Sequence, residues 1–325
     1  MKARIIGTGS YLPEKILTNI DLEKFLDTSD EWIFSRTGIR ERRVAAAGEY
    51  TSDLAVHAAH RAMEMAGVTA AEIDLIVVGT ITGDFPWPAT ACLVQHKLGA
   101  TQAAAFDISA ACSGFVYALD AGMRQIQTGV ARRVLVIGAE ILTRIVDWQD
   151  RNTCVLFGDG AGAVVLAPSD GEAGILSTHL HADGSCWELL YQAGFGSRNP
   201  ASPEGLEARL PFLKMQGNEV FKVAVRSLSE VANEALEANG VTAADLRLLI
   251  PHQANRRILE ATAKRLGLAD EQVFMNVERY GNTSGASIPI ALDEANRAGL
   301  LREGDLVLFD AFGGGFTWAS ALVRW

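Results

Sequence analysis

No apolar run in this chain approaches the roughly 20 residues needed to cross a bilayer. The longest, such as residues 75–79 and 134–138, are a fraction of that length. The start, Met1-Lys2-Ala3-Arg4-Ile5-Ile6-Gly7, moves straight into a strand-like run without the hydrophobic region of a signal peptide. A cytoplasmic location and no membrane partner are the expectations. Cysteine is scarce. Cys92, Cys112, Cys154 and Cys186 are scattered with no CxxC pair, which suggests neither a disulfide framework nor a metal site. Positive charge is also short: 29 Lys and Arg against 39 Asp and Glu leave a net charge of −10, which argues against nucleic acid as the main partner. No low-complexity linker interrupts the chain. What is present is 325 residues, 49% hydrophobic and 21% charged, the makeup of a globular protein with a substantial core.

The chain is written twice. Gly67-Val68-Thr69-Ala70-Ala71-Glu72 nearly repeats as Gly240-Val241-Thr242-Ala243-Ala244-Asp245, an offset of 173 residues (240 − 67 = 173). Apolar residues at helical spacing predict a helix before each copy, over residues 52–66 and 218–239. Each copy then enters a short apolar strand. Lys97-Leu98-Gly99 matches Arg265-Leu266-Gly267, and residues 106–108 and 274–277 each read as a strand entering a small-residue turn. Residues 133–138 and 305–310 read as further strands. Strands alternating with helices predict mainly parallel sheets covered on both faces. The expected organisation is therefore α/β and duplicated. An N-terminal half, residues 1–172, and a C-terminal half, residues 173–325, form one unit with its functional cleft where they meet.

Cys112 lies in Phe106-Asp107-Ile108-Ser109-Ala110-Ala111-Cys112-Ser113-Gly114, a strand, a turn of small residues and the start of a helix. Unpaired N–H groups and the positive end of a helix lower a thiol pKa, and the thiolate is the nucleophile. A small buried hydrophobe is the plainer alternative. His252, in Pro251-His252-Gln253-Ala254-Asn255, ends a buried strand just before a helix, where open α/β sheets place ligand-binding groups. Asn282, in Gly281-Asn282-Thr283-Ser284-Gly285, is the second half's counterpart of the Cys112 turn; helix capping explains such a residue equally well. The turn Gly313-Gly314-Gly315 follows the last strand of the second half, and its glycines let backbone N–H groups approach a ligand closely, as an oxyanion hole requires.

These motifs together, Asp107-x-x-x-Ala111-Cys112-Ser113-Gly114, Pro251-His252-Gln253-Ala254-Asn255, Gly281-Asn282-Thr283-Ser284 and the Gly-Gly-Gly-Phe-Thr-Trp ending, resemble the β-ketoacyl-[acyl-carrier-protein] synthase III family over essentially the whole chain. The resemblance implies the duplicated thiolase fold, layered αβαβα, and a homodimer. It implies an acyltransferase that condenses an acyl-CoA starter, acetyl or longer or branched, with malonyl-acyl carrier protein, without metal or redox cofactor. Cys112, His252 and Asn282 would be catalytic, and the N–H groups of Cys112, Gly314 and Gly315 would form the oxyanion hole. Thr28, Trp32, Arg36 and Arg151 would bind coenzyme A, with the adenine between Trp32 and Arg151. Gln253, Ala254, Asn255, Arg256, Arg257, Lys222 and Lys264 would receive the acidic acyl carrier protein. Trp87, reaching across the dimer, and Phe312 would border the acyl pocket.

A condensing enzyme of secondary metabolism with another acyl acceptor is the nearest alternative. A papain-like hydrolase shares the Cys, His, Asn order but lacks its signature and leaves the duplication unexplained. A non-catalytic acyl-binding protein has no need of all three polar residues. Gly158-x-Gly160-x-Gly162 leads into a strand-like run rather than a helix, so a dinucleotide cradle is not expected. His179 and His181 share one face of a strand with no carboxylate in an obvious place beside them, which favours packing over a metal.

Overall fold

The computed structural model describes residues 1–325. The first half runs β1 (Lys2–Tyr11), β2 (Lys15–Thr18), α1 (Asn19–Glu23), α2 (Asp30–Thr37), β3 (Glu41–Val44), α3 (Thr51–Ala66), β4 (Leu75–Gly79), α4 (Thr90–Leu98), β5 (Ala104–Ile108), α5 (Gly114–Gln127), β6 (Val134–Ile141) and β7 (Asp159–Ser169). The second runs β8 (Gly174–Ala182), β9 (Leu190–Gln192), α6 (Pro203–Glu207), β10 (Leu213–Met215), α7 (Gly217–Ala238), β11 (Leu246–Pro251), α8 (Arg256–Leu266), α9 (Val277–Tyr280), α10 (Ser287–Arg297), β12 (Leu306–Gly313) and β13 (Thr317–Arg324).

The repeated motif does the same work in both halves. Gly67 and Gly240 take left-handed φ values of 65° and 63° at the ends of α3 and α7, where a side chain is strained. Thr69 and Thr242 then cap one 3-10 turn each. Their hydroxyls donate to Glu72 (2.8 Å) and Asp245 (2.7 Å), whose carboxylates also accept the threonine N–H. The chain is thereby turned back into β4 and β11.

Two large sheets result, ordered β1-β7-β6-β4-β5 and β8-β13-β12-β11, with β2–β3 and β9–β10 as separate two-stranded pairs. The orders correspond strand for strand, with the fifth position nearly empty in the second sheet. Strand sense corrects the sequence expectation. β4 pairs in parallel with β5 and β6, and β11 with β12, but β1–β7, β6–β7, β12–β13 and β13–β8 are antiparallel. The fold is mixed because each half closes its parallel core with antiparallel strands. The expected strand over residues 274–277 is also absent, and only one bridge, Leu249 to Val273, is formed. The Gln253 side chain takes the bonds a ladder would use: its amide donates to the Phe274 carbonyl (3.0 Å) and its oxygen accepts from Asn276 and Val277 N–H.

Alternation along the strands explains the layering. Val77, Val134 and Val136 face inward onto α5 and α10, while Ile76, Val78, Leu135 and Ile137 face outward onto α3 and α4. The second sheet likewise packs Ile250, Val307 and Phe309 inward and Leu249, Leu308 and Leu322 outward, towards α7 and α8. The order is helices, sheet, helices, sheet, helices. α10 presses so closely on the first sheet that a Cβ on Gly162 would stand 2.6 Å from the Ile290 nitrogen, which accounts for the glycines of β7.

Candidate active site

Cys112 lies in a 3-10 turn between β5 and α5, preceded by Ala111 at a φ of 47°. Ser284 has the same φ, and the two residues stand one repeat apart (284 − 111 = 173). The turns before α5 and α10 are therefore equivalent, and they meet at the seam. His252 follows β11, and its N–H donates to the Asp310 carbonyl at 2.7 Å. The Asn282 N–H donates to the Leu156 carbonyl at 2.8 Å, which ties the second turn to the first half.

The polar groups of these residues are oriented by their neighbours. Asn282 Oδ1 accepts the Ser284 N–H at 2.8 Å, while its NH2 group has no partner in the protein. His252 Nδ1 lies 2.7 Å from Ser287 Oγ, and the residue is 3% exposed. Burial pushes its pKa down to about 3, so the imidazole is neutral. Cys112 departs from the sequence expectation. Burial pushes its thiol up to about 12, with the Glu140 carboxylate acting the same way and the Ser284 hydroxyl against it. The helix mouth alone does not yield a free thiolate.

Cys112 stands at the junction of two cavities. A cleft of about 580 Å³ is lined by Cys112, His252, Asn282 and Phe312, and by Arg36 and Arg257 nearer the surface. Beyond Cys112 lies an apolar pocket of about 260 Å³ between Ile81, Leu142, Phe157, Leu190 and Leu213. A further cavity of about 680 Å³, along Arg4, Arg133 and Arg324, contains none of the three polar residues. Gly313 packs directly on Cys112, for a Cβ there would be 2.6 Å from its nitrogen. Gly314 lines the apolar pocket, and neither its N–H nor that of Cys112 has an acceptor. Gly315 packs beside Thr317, where an added Cβ would stand 3.1 Å from the Thr317 nitrogen.

Trp32 is flanked by Arg36, 4.6 Å from its ring centre, and Arg151, 5.1 Å away. Thr28 is nearby in sequence, with a buried hydroxyl that has no partner. Arg257, Lys222 and Lys264 are exposed, while Ala254 and Asn255 are partly covered, Asn255 capping α8 through the Ile258 N–H.

The structure gives particular surroundings to four of the expected site residues. Gln253 is 1% exposed and spends its amide on the backbone bonds described above, so it clamps the loop and offers almost no surface of its own. Arg256 is held by Glu278 (3.3 Å) and lies over Phe34, so it braces α8 against α2. Phe312 borders the cleft rather than the apolar pocket; Trp87, expected to act across a dimer, is 84% exposed and lines neither cavity of its own chain. His179 and His181 do have a carboxylate: Glu234 of α7 accepts from both, at 3.1 and 2.6 Å, and Trp318 stacks on His181. Sequence reasoning missed Glu140, Ser284 and Ser287. Ser284 stands in the Asn282 turn, where helix capping explains a polar residue equally well, Ser287 opens the helix just after it, and Glu140 lies near the end of an ordinary apolar strand.

A buried cysteine at the seam of two thiolase-like halves, faced by a neutral histidine and an asparagine amide, defines a thiolase-fold condensing enzyme. Family models described as 3-oxoacyl-[acyl-carrier-protein] synthase III and its C-terminal region match residues 106–184 and 236–325. A β-ketoacyl-[acyl-carrier-protein] synthase III of Xanthomonas campestris pv. campestris is 61% identical, over 99% of this chain and 98% of its own. The crystal structure of 3-oxoacyl-[acyl-carrier-protein] synthase III from Aquifex aeolicus superposes with a TM-score of 0.92 at 52% identity, covering 99% of this chain and 100% of that one. OleA of Xanthomonas campestris, 21% identical with a TM-score of 0.87 over 100% and 99% of the two chains, shares the fold. The chain belongs to the β-ketoacyl-[acyl-carrier-protein] synthase III family. It is an acyltransferase-type condensing enzyme, acting at the initiating condensation of fatty acid synthesis.

Proposed function

We propose that Cys112 attacks the thioester carbonyl of an acyl-CoA starter, forming an acyl-cysteine and releasing coenzyme A. The N–H groups of Cys112 and Gly314 hold the oxyanion in this reading. The acyl chain enters the apolar pocket while the coenzyme lies in the adjoining cleft, with its adenine end at Trp32 and Arg151 and its phosphates near Arg36 and Thr28. Arg over an aromatic plane suits a nucleobase.

Malonyl-acyl carrier protein then takes the vacated cleft. The free NH2 group of Asn282 and the Nε2–H of His252 donate to its thioester carbonyl. Ser287 Oγ accepts the Gln253 N–H at 3.3 Å and has no acceptor for its own proton other than His252 Nδ1, so in this reading Ser287 donates to Nδ1 and the ring proton sits on Nε2. Loss of carbon dioxide leaves an enolate whose charge develops against these two donors. Its carbon attacks the acyl-cysteine, giving 3-oxoacyl-acyl carrier protein and freeing Cys112. No step calls on a metal or redox cofactor.

Arg257, Lys222 and Lys264 form the landing site for the acidic carrier protein, with Ala254 and Asn255 at the mouth of the cleft. The enzyme works as a cytoplasmic homodimer. Exposed Phe85 and Trp87 and the edge strand β5 with Phe106 support a partner there, and Trp87 then completes the partner's pocket. The same reading divides the chain at residues 172 and 173, between β7 and β8.

The observation that carries the proposal is the convergence of Cys112, His252 and Asn282 on one cleft. Incubation with a panel of acyl-CoA starters tests it. One acyl mass should appear on Cys112 and none in Cys112→Ser; an adduct persisting in that variant removes Cys112 from the role.

A further inference from the structure

Acylation of Cys112 requires an acceptor for the thiol proton. At rest the sulfur has no hydrogen-bond partner, and Nδ1 of His252 is taken by Ser287. On the other side of the sulfur, Ser284 lines the apolar pocket beside Cys112, and its hydroxyl donates to Glu140 at 3.3 Å. Glu140 sits near the end of β6 and is fully buried. It accepts from the Ile81 N–H at 3.3 Å, from the Thr80 hydroxyl at 3.3 Å and from the Thr82 hydroxyl, and no cation pairs with it. A buried carboxylate held by neutral donors alone is expensive, and packing does not require one here.

We propose that Glu140, acting through Ser284, accepts the Cys112 proton during acyl transfer and returns it when the sulfur leaves in the condensation. The proposal rests on Cys112 being the nucleophile. As the sulfur–carbon bond forms, the thiol proton passes to Ser284 Oγ and the Ser284 proton to Glu140. The starter's carbon–sulfur bond breaks, and coenzyme A departs with the electron pair as a thiolate that takes its proton from water. In the condensation the acyl-cysteine bond breaks. Glu140 then gives its proton back through Ser284 to the Cys112 thiolate. The proton relay moves one negative charge between carboxylate and sulfur, so no additional charge is buried.

The duplication supplies an independent observation. Ala111 and Ser284 are equivalent left-handed positions, but only the second carries a hydroxyl, and only that one faces a carboxylate. The surroundings leave Glu140 as the acceptor. The segment after β4 presents Thr80, Ile81 and Thr82; on β7, Asp159 is committed to Thr143 and the Ala45 N–H; beyond the sulfur stand neutral His252 and Asn282. Burial pushes Glu140 up to about 7, which puts its ionisation in the working range of pH.

Single-turnover acylation by acetyl-CoA, read as adduct mass on Cys112 between pH 5.5 and 9, tests the relay. In the unmodified enzyme the rate should rise through an inflection near neutral pH. Glu140→Gln and Ser284→Ala should acylate at least tenfold more slowly at pH 7.5 and lose the inflection. Thr82→Val keeps the carboxylate but removes a donor to it, so its inflection should move to higher pH. A structural role alone slows all three without moving the inflection. Retention of the inflection in either Glu140→Gln or Ser284→Ala overturns the proposal; if one of them does not fold, the other carries the test. Absence of any adduct on Cys112 in the unmodified enzyme is a failure of the nucleophile assignment instead.

Discussion

Ser287→Ala isolates the orientation of His252 from every other part of the site. Ser287 touches no substrate in the proposed mechanism; it contacts Nδ1 of His252 at 2.7 Å and the Gln253 N–H at 3.3 Å. Its removal leaves Nδ1 buried without a partner, and the ring loses the bond that keeps its proton on Nε2. An unpartnered buried nitrogen costs about 1–3 kcal/mol. If that cost falls on the enolate-stabilising tautomer, the barrier rises by the same amount, a loss of about 5- to 140-fold at about 1.4 kcal/mol per tenfold. The assay is release of carbon dioxide from malonyl-acyl carrier protein by pre-acylated enzyme, alongside adduct formation on Cys112. Decarboxylation should fall within that range while acylation keeps its rate. Unchanged decarboxylation, or an equal fall in both steps, refutes the reasoning.

The other predictions concern neighbouring groups. His252→Ala and Asn282→Ala should each retain acylation and lose most decarboxylation, measured in the same pair of assays; normal condensation in either removes that residue from the mechanism. Arg257→Glu should raise the KM for malonyl-acyl carrier protein with little effect on acylation by acyl-CoA, since Arg257 is exposed and has no carboxylate partner. Asp310 is fully buried, neither of its oxygens has a partner, and burial raises its pKa well above the usual carboxylate range. The folded state therefore holds the proton more tightly than the unfolded one, and stability is lost as pH rises from about 4 through the folded pKa. Asp310→Asn removes this dependence, so its gain in melting temperature should be larger at pH 8 than at pH 4. For His252 the sign is reversed. Its folded pKa of about 3 lies below the unfolded value, so acidification from about 6.5 towards 3 costs stability, and His252→Asn should flatten the melting temperature over that interval.

Local signals were enough for the elements around the repeated motif, because a helix stop and a cap act within a few residues. The helices predicted over 52–66 and 218–239 form at Thr51–Ala66 and Gly217–Ala238. The strand expected over 274–277 failed for a non-local reason: Gln253, more than 20 residues away in sequence, intercepts its backbone bonds. Strand sense was equally out of reach, since alternation reports burial and not direction.

By itself the sequence determined the duplication, the α/β class and the three turns bearing Cys112, His252 and Asn282, because helix stops, caps and short motifs are written in adjacent residues. Only the tertiary structure decided how those groups behave. Burial at the seam makes His252 neutral and holds the thiol protonated. The packing of β6 and the turn before α10 brings Glu140 and Ser284, 144 residues apart, into hydrogen-bond contact behind the sulfur. Desolvation and proton affinity depend on what surrounds a group in space, and those surroundings exist only once the two halves have closed.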